Sequence, residues 1–476
     1  MSTTYFPQSG LDEETIIASL EELKSDDLQE DGRAYAFTYD AGDDVKRIAR
    51  RAFAACMGGN GLDPTAYPSA RRLENDVTAA ALSHLRAPEG AVGTATSGGT
   101  ESVMLSVKTA RDFAQKKDPS LTSPEMLVPE TAHASFHKAA HYLGVRLIPV
   151  DVDPKSMRAC IDDYRAKITD RTILLVASAP SYAHGVIDPI SELGALAEAN
   201  DLLLHVDACI GGWVLPFQRD LGIDTPDFDF NVAGVTSISV DLHKYAFAPK
   251  GISVLLQRNR ALRDAQYYAC AAWSGYTIVN PTMLGSKSIA AMASAWAVLR
   301  HLGREGYRDK VQIMANAKET LVHAIERIPG LRVLGCPDMG LVAVTTEGGD
   351  VFELADRLIA RGWQVQPTYG FGASPAHIHF TIDPHNAVRI DALVGSLQES
   401  AQDLPPTVDV PASVVAMLQA LTQGQGGLAV DQMMSELGIV NGQLPQAQAN
   451  IHRLLDAASP PVREALLVAF LGELFT

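Results

Sequence analysis

The chain is poor in cysteine, in long apolar runs and in positive charge, and each shortage removes a class of protein. Its five cysteines, at positions 56, 160, 209, 270 and 336, are far apart, odd in number and free of any CxxC pair. That spacing supports neither a disulfide framework nor a zinc cluster and fits a reducing, cytoplasmic setting. His137 and His141 lie four apart on one helix face, but no HExxH occurs, so the metal assignment is none. The opening Met1-Ser2-Thr3-Thr4-Tyr5-Phe6-Pro7 has no basic region and no apolar run of signal length. Apolar stretches such as 290–299 are too short to span a bilayer, so no membrane-spanning segment is expected. Lys and Arg number 39 against 56 Asp and Glu, a net charge of −17. The excess is plain in Asp12-Glu13-Glu14, Glu21-Glu22 and Asp26-Asp27. Such a field repels nucleic acid and anionic membranes, so a phosphorylated ligand has to be caught by a local device.

At 476 residues the chain is long enough for one large core and one or two smaller ones. Residues 1–60 read as a mostly helical, acidic arm, with helix candidates at 11–23 and 45–57, ending in Gly58-Gly59-Asn60-Gly61. Residues 61–305 read as a large α/β domain. Short apolar runs at 126–128, 146–150, 172–176, 202–206, 237–240 and 252–256 alternate with helical patterns at 101–116, 136–143, 190–198 and 288–302, which implies a largely parallel sheet covered on both faces. Residues 306–403 read as a small α+β domain, with a long helix to about 328, strands at 331–334, 341–345, 363–366 and 377–382, and helices from 351 and 386. Leu404-Pro405-Pro406-Thr407 then opens a helical C-terminal extension, 404–476, without repeats.

Three pieces of this pattern carry chemistry. Lys244, in Ser239-Val240-Asp241-Leu242-His243-Lys244-Tyr245 and followed by Ala246-Phe247-Ala248, is an amine whose lost hydration would lower its pKa and free it to attack an aldehyde. Asp207 ends the run Leu202–Val206, at the carboxyl end of a strand, where α/β sheets place ligands. Its carboxylate can pair with a ring nitrogen and keep it protonated, and Ala208-Cys209-Ile210-Gly211-Gly212 leaves room for a ring. Ser97-Gly98-Gly99-Thr100 precedes the helix beginning at Glu101, so its N–H groups and hydroxyls form an anion cradle. Amine, acid and anion cradle together are the three anchors of pyridoxal 5′-phosphate. His133, in Thr131-Ala132-His133-Ala134-Ser135, can lie against the ring face, whereas His205, between leucine and valine in a strand, reads as a core histidine.

These stretches, with Tyr67-Pro68-Ser69-Ala70-Arg71-Arg72-Leu73-Glu74, Ser178-Ala179-Pro180 and Pro249-Lys250-Gly251, resemble the pyridoxal-phosphate-dependent group II decarboxylases, most closely their sphingosine-1-phosphate lyase branch. The likeness runs from about 55 to 400. It implies an aspartate-aminotransferase-like fold (type I), with a mainly parallel seven-stranded sheet and a small C-terminal α+β domain, working as a homodimer with shared active sites. It implies Lys244 as the Schiff-base lysine, Asp207 on the pyridinium nitrogen and His133 stacked on the ring. Gly99 and Thr100 with His243 would hold the phosphate, Ser239 would stand among the cofactor-binding residues, and Tyr245 would lie near the substrate. Residues 273–287 resemble the loop that enters the neighbouring site. Two positions depart from the lyase pattern: Asp63 stands where a histidine is usual, and Lys287 where arginine is usual, which keeps the charge but loses the planar fork.

The substrate is then a small amine or amino acid, with Lys244, His133 and Tyr245 as candidates for proton transfer. One outcome is carbon–carbon cleavage of a phosphorylated β-hydroxy amine to an aldehyde and phosphoethanolamine. The alternatives are decarboxylation of a glutamate-, aspartate- or aromatic-type amino acid, and a catalytically silent scaffold that keeps the fold.

Overall fold

The computed structural model describes residues 6–29, 31–411, 414, 445 and 447–475. Seven strands form the main sheet: β1 (Val92–Thr96), β2 (Glu125–Pro129), β3 (Arg146–Val150), β4 (Thr172–Ser178), β5 (Leu203–Asp207), β6 (Ser237–Asp241) and β7 (Ser253–Gln257). Their order is β1-β7-β6-β5-β4-β2-β3. Only β7 runs against its neighbours β1 and β6; the other pairs are parallel. Every residue of β2, β4, β6 and β7 is buried, which is why β2, β4 and β7 carry unbroken apolar centres; β6, Ser-Ile-Ser-Val-Asp, alternates although it is buried throughout. β1, Val-Gly-Thr-Ala-Thr, has no such run and escaped the sequence reading.

Helices α1 (Glu13–Leu23), α2 (Asp43–Cys56), α3 (Pro68–His84), α4 (Gly99–Lys117), α5 (Ser135–Leu143), α6 (Ile161–Lys167), α7 (Ile190–Ala199), α8 (Leu215–Asp220) and α9 (Arg260–Gln266) precede or flank the strands. The hairpin β8 (Tyr268–Cys270) and β9 (Ile278–Asn280) leads to α10 (Ala290–Ile325), which is broken at Gly303, where φ is 58°. The helix expected at 288–302 is thus the first half of a longer, kinked element, and only glycine takes that backbone geometry cheaply.

A second, antiparallel sheet has the order β10-β11-β13-β12, built from β10 (Leu331–Val333), β11 (Leu341–Thr346), β12 (Gln366–Thr368) and β13 (His377–Thr381), with α11 (Val351–Ala360) and α12 (Ile390–Ser400). The strand expected at 363–366 lies at 366–368. It is an edge strand, so Pro367 costs no ladder bond on its free side. The N-terminal segment between α1 and α2 is not helical throughout: the Tyr35 N–H donates to Gln364 O and Tyr35 O accepts from Thr381 N, tying this stretch to the small sheet. α13 (Ala449–Ala457) and α14 (Pro460–Leu474) close the chain. Asp356 accepts from the Gln448 and Ala449 N–H groups at the start of α13, and Arg453 pairs with the buried Asp350 at 2.5 Å.

No helix among the described residues is long and apolar enough to cross a membrane. Among them, no group of three or more His, Cys, Asp or Glu is placed to hold a metal.

Candidate active site

The carboxyl ends of β4, β5 and β6 and the first turn of α4 enclose a cleft of about 410 Å³. Ser97, Gly98, Gly99 and Thr100 line one side, with His133, Asp207, His243 and Lys244 around the rest. The residues that the sequence separates thus meet at one cavity, at the end of the sheet where ligands of α/β folds bind.

Lys244 Nζ lies 3.0 Å from Asp241 Oδ2. Burial alone would lower the lysine's pKa, but the negative charge of Asp241, helped by Tyr39, Cys209 and Asp207, outweighs it and the net shift is upward. The expectation of a depressed lysine is therefore corrected: before it meets a cofactor, Lys244 is held as an ammonium. Asp241 drew no functional reading from the sequence. Its other oxygen accepts from Ser253 Oγ at 2.5 Å, and His243 Nε2 is 3.6 Å from Oδ2.

Asp207 is buried and is held from behind. Its Oδ1 accepts from the Cys209 N–H at 3.1 Å and from Ser239 Oγ at 3.5 Å. Ser239 does not line the cleft; its hydroxyl also meets His205 Nε2 at 3.2 Å, and His205 Nδ1 meets Ser237 Oγ at 2.8 Å. His205 is a fully buried histidine with both ring nitrogens bonded, and burial pushes its pKa down to about 4. Cys209 reaches the cleft, but burial pushes its thiol up, so it is not a nucleophile.

At the cradle, Glu101 folds back so that Oε2 accepts from the Ser97 N–H at 2.5 Å, while Oε1 accepts from the Met283 N–H at 2.6 Å. One carboxylate therefore joins the glycine turn to the loop after β9. A side chain on Gly99 would put its Cβ 2.8 Å from both Asp241 carboxylate oxygens and 2.9 Å from Cys209 Sγ, so only glycine lets α4 start this close to β6. His243 stands beside the turn, with Nδ1 accepting from the Ile252 N–H at 3.4 Å.

His133 Nδ1 accepts from the Ser135 N–H at 3.2 Å, which leaves the ring proton of the neutral form on Nε2. Tyr182, missed in the sequence, lines the cleft and donates to Gln366 Oε1 at 2.6 Å. Tyr245 does not line it. That side chain is buried, and its hydroxyl donates to Ile382 O at 2.8 Å, a placement that does not suit proton transfer with a substrate. Asp63 is exposed and accepts from Thr65 and Ala66. The Gly61 N–H donates to Lys287 O at 2.7 Å, so the segments carrying the two departures from the lyase pattern lie side by side.

Comparison with known proteins agrees with this geometry. Residues 3–346 match the pyridoxal-dependent decarboxylase conserved domain. The chain belongs to this family. Residues 412–473 match a further model, the C-terminal putative HTH domain of pyridoxal-dependent enzymes. The sphingosine-1-phosphate lyase of Oryza sativa subsp. japonica is 38% identical over 405 residues, covering 83% of this chain and 74% of its own. The Probable L-aspartate decarboxylase of Pyrococcus furiosus is 32% identical, covering 77% of this chain and 96% of its own. Among solved structures, a Burkholderia pseudomallei sphingosine-1-phosphate lyase superposes with a TM-score of 0.80 at 32% identity, over 84% of this chain and 92% of that one.

As a member of the family the chain is a pyridoxal-phosphate-dependent lyase, and the cleft suits that cofactor. An amine, a buried carboxylate and a helix N-terminus stripped of side-chain bulk at Gly99 face one space.

Proposed function

We propose that this protein cleaves the Cα–Cβ bond of a phosphorylated β-hydroxy amine, giving an aldehyde and phosphoethanolamine. The observation that carries this reading is the likeness to the rice and Burkholderia lyases across the stretch that builds the cleft. When bound, the cofactor supplies a ring that accepts the electrons of the broken bond.

The chain's own residues do the rest. Lys244 Nζ is the amine that would hold the cofactor's carbonyl carbon. Asp207 would keep the cofactor's ring nitrogen charged, with Ser239 bonded to the carboxylate from behind. Gly99, Thr100 and His243 would hold the phosphate at the start of α4, and His133 would cover the ring. Tyr182, whose own proton goes to Gln366, has an oxygen lone pair left to accept a hydrogen bond that orients the substrate's β-hydroxyl, while Lys244, released as a neutral amine, takes the hydroxyl proton as the aldehyde forms. Lys244, once released, returns a proton to Cα.

The chain is assigned as a cytoplasmic homodimer in which residues 273–287 reach the neighbouring site, with 1–60 as arm, 61–305 and 306–403 as the two catalytic domains and 404–476 as extension. A second reading, decarboxylation of an amino acid, is favoured by the Pyrococcus likeness and by Asp63 and Lys287, which differ from the lyase pattern. Incubating the cofactor-loaded protein with phosphorylated β-hydroxy amines and with amino acids separates the two. Equimolar aldehyde and phosphoethanolamine without CO2 is expected; CO2 from an amino acid with no aldehyde from any amine overturns the proposal.

A further inference from the structure

Next to the cofactor cleft lies a second cavity of about 280 Å³, and the two share His133 and Tyr182. It lies between residues 130–134, the turn after Tyr182 and the 368–377 segment of the small sheet. Ala132, Ala134, Val152 and Phe371 supply apolar walls, and no lysine or arginine lines it. Two of its three histidines, His184 and His377, are almost wholly buried, and burial holds both below the ordinary imidazole pKa, His184 at about 3. The one charged side chain, Glu130, is an anion.

The cavity on the opposite flank of the cleft, which shares His243, differs in charge. Lys46, Arg50 and Lys250 line it together with Asp40 and Asp383. An anionic part of a substrate therefore has cations on the His243 side and none on the His133 side.

The wall of the His133-side cavity is fixed before any ligand arrives. Ser374 Oγ is 2.9 Å from His184 Nε2, and His377 Nδ1 donates to Pro375 O at 2.9 Å. From behind, the C-terminal extension holds the same segment. The Gly370 N–H donates to Asp456 Oδ1 at 2.6 Å, Tyr369 OH meets His452 Nδ1 at 3.1 Å, and the Arg463 guanidinium lies 4.7 Å from the Tyr369 ring centre.

The geometry points to this cavity as the subsite for the uncharged, largely apolar chain of the amine substrate, with the anionic end directed away from it. This inference rests on the proposed amine chemistry at Lys244, but not on which bond is cleaved. It excludes an acidic side chain from this side of the cleft, because a carboxylate would meet the buried imidazoles of His184 and His377 and the acidic Glu130 with no lysine or arginine in the lining.

The test titrates cofactor-loaded protein with n-butylamine, n-hexylamine and 6-aminohexanoate, reading the change in cofactor absorbance and not turnover. Burial of two further methylenes predicts roughly tenfold tighter binding of n-hexylamine than of n-butylamine, with 6-aminohexanoate losing that gain. Ser374→Phe, which fills the cavity, should abolish the chain-length gain while the cofactor absorbance remains. Thr368→Phe, on the same wall, gives the same reading if Ser374→Phe fails to fold. Equal affinity for the two alkylamines in the unaltered protein, or an unchanged gain in a folded filled variant, overturns the subsite. Failure to release an aldehyde from any phosphorylated amine overturns only the proposed reaction and leaves this result standing.

Discussion

Lys244 Nζ and Asp241 Oδ2 are 3.0 Å apart, one turn of chain from each other at the carboxyl end of β6. Each moves the other's protonation. The lysine is raised above 10.5, and the carboxyl, despite burial, is held below 3.8 by Lys244 and His243. The lysine's share of the stabilisation is fully present below its unfolded pKa and fades only as pH rises through the higher folded value. The aspartate's share is present above its unfolded pKa and fades as pH falls through the lower folded value. Across neutral pH the pair is intact, so capture of an aldehyde has to draw on a small neutral fraction.

Asp241→Asn removes that restraint and leaves a buried lysine without its counter-charge. Burial then dominates, and the pH at which Lys244 reacts with pyridoxal phosphate should drop by at least about one unit. The rate of appearance of cofactor absorbance in cofactor-free protein, followed against pH, measures it. An unchanged profile would mean that Asp241 does not set the charge of Lys244.

Gly99→Ala tests the cradle. Its Cβ would sit within 2.8 Å of the Asp241 carboxylate, which is short and already held by Ser253 and Lys244, so the start of α4 has to move. Overpacking of this kind costs about 1–3 kcal/mol. Equilibrium dialysis should show cofactor binding weakened by at least about tenfold, since the N–H groups that meet the phosphate move with the turn. Full cofactor affinity in this variant would remove the turn from the site.

What could be read in the sequence follows from where the information lies. β4 is buried on both faces, so its residues had to be apolar in series and the strand stood out, whereas β6 keeps serines at buried positions. His133, Asp207 and Lys244 stood out because each ends a strand or lies soon after one, and the cradle stood out by its paired glycines before α4. β1 did not, since its packing against β7 lets glycine and threonine serve as strand residues. The direction of the Lys244 shift is not legible in the apolar residues after it, because the carboxylate three residues before it sets the sign. Tyr182 and the subsite beyond it depend on the small sheet folding back over the main one, and no local spacing encodes that approach.

Arg453→Ala tests how the C-terminal helices are held. Asp350 is wholly buried and keeps its bonds from the Phe352 and Glu353 N–H groups, so loss of its cation should cost about 2 kcal/mol and not the full penalty of an isolated buried charge. Hydrogen exchange should rise in 449–474 and in the 368–377 segment, with little change in β4 to β6. Protection unchanged at Tyr369 and Gly370 would mean that the extension does not brace the small sheet.

Tyr182→Phe and Tyr245→Phe separate a tyrosine that faces the cleft from one that faces the core. Tyr182 lines the cavity with its oxygen beside Gln366, whereas Tyr245 spends its proton on the Ile382 carbonyl. If Tyr182 orients the substrate's reacting hydroxyl by accepting its hydrogen bond, Tyr182→Phe should lower kcat by about tenfold or more with KM altered far less, because the lost interaction belongs to the reacting hydroxyl. Tyr245→Phe should leave kcat within a few-fold and cost about 1–3 kcal/mol of stability, since the buried carbonyl loses its donor. Steady-state kinetics with thermal unfolding of both variants reads the contrast. A kcat collapse in Tyr245→Phe with a mild effect in Tyr182→Phe would reverse the assignment of the two hydroxyls.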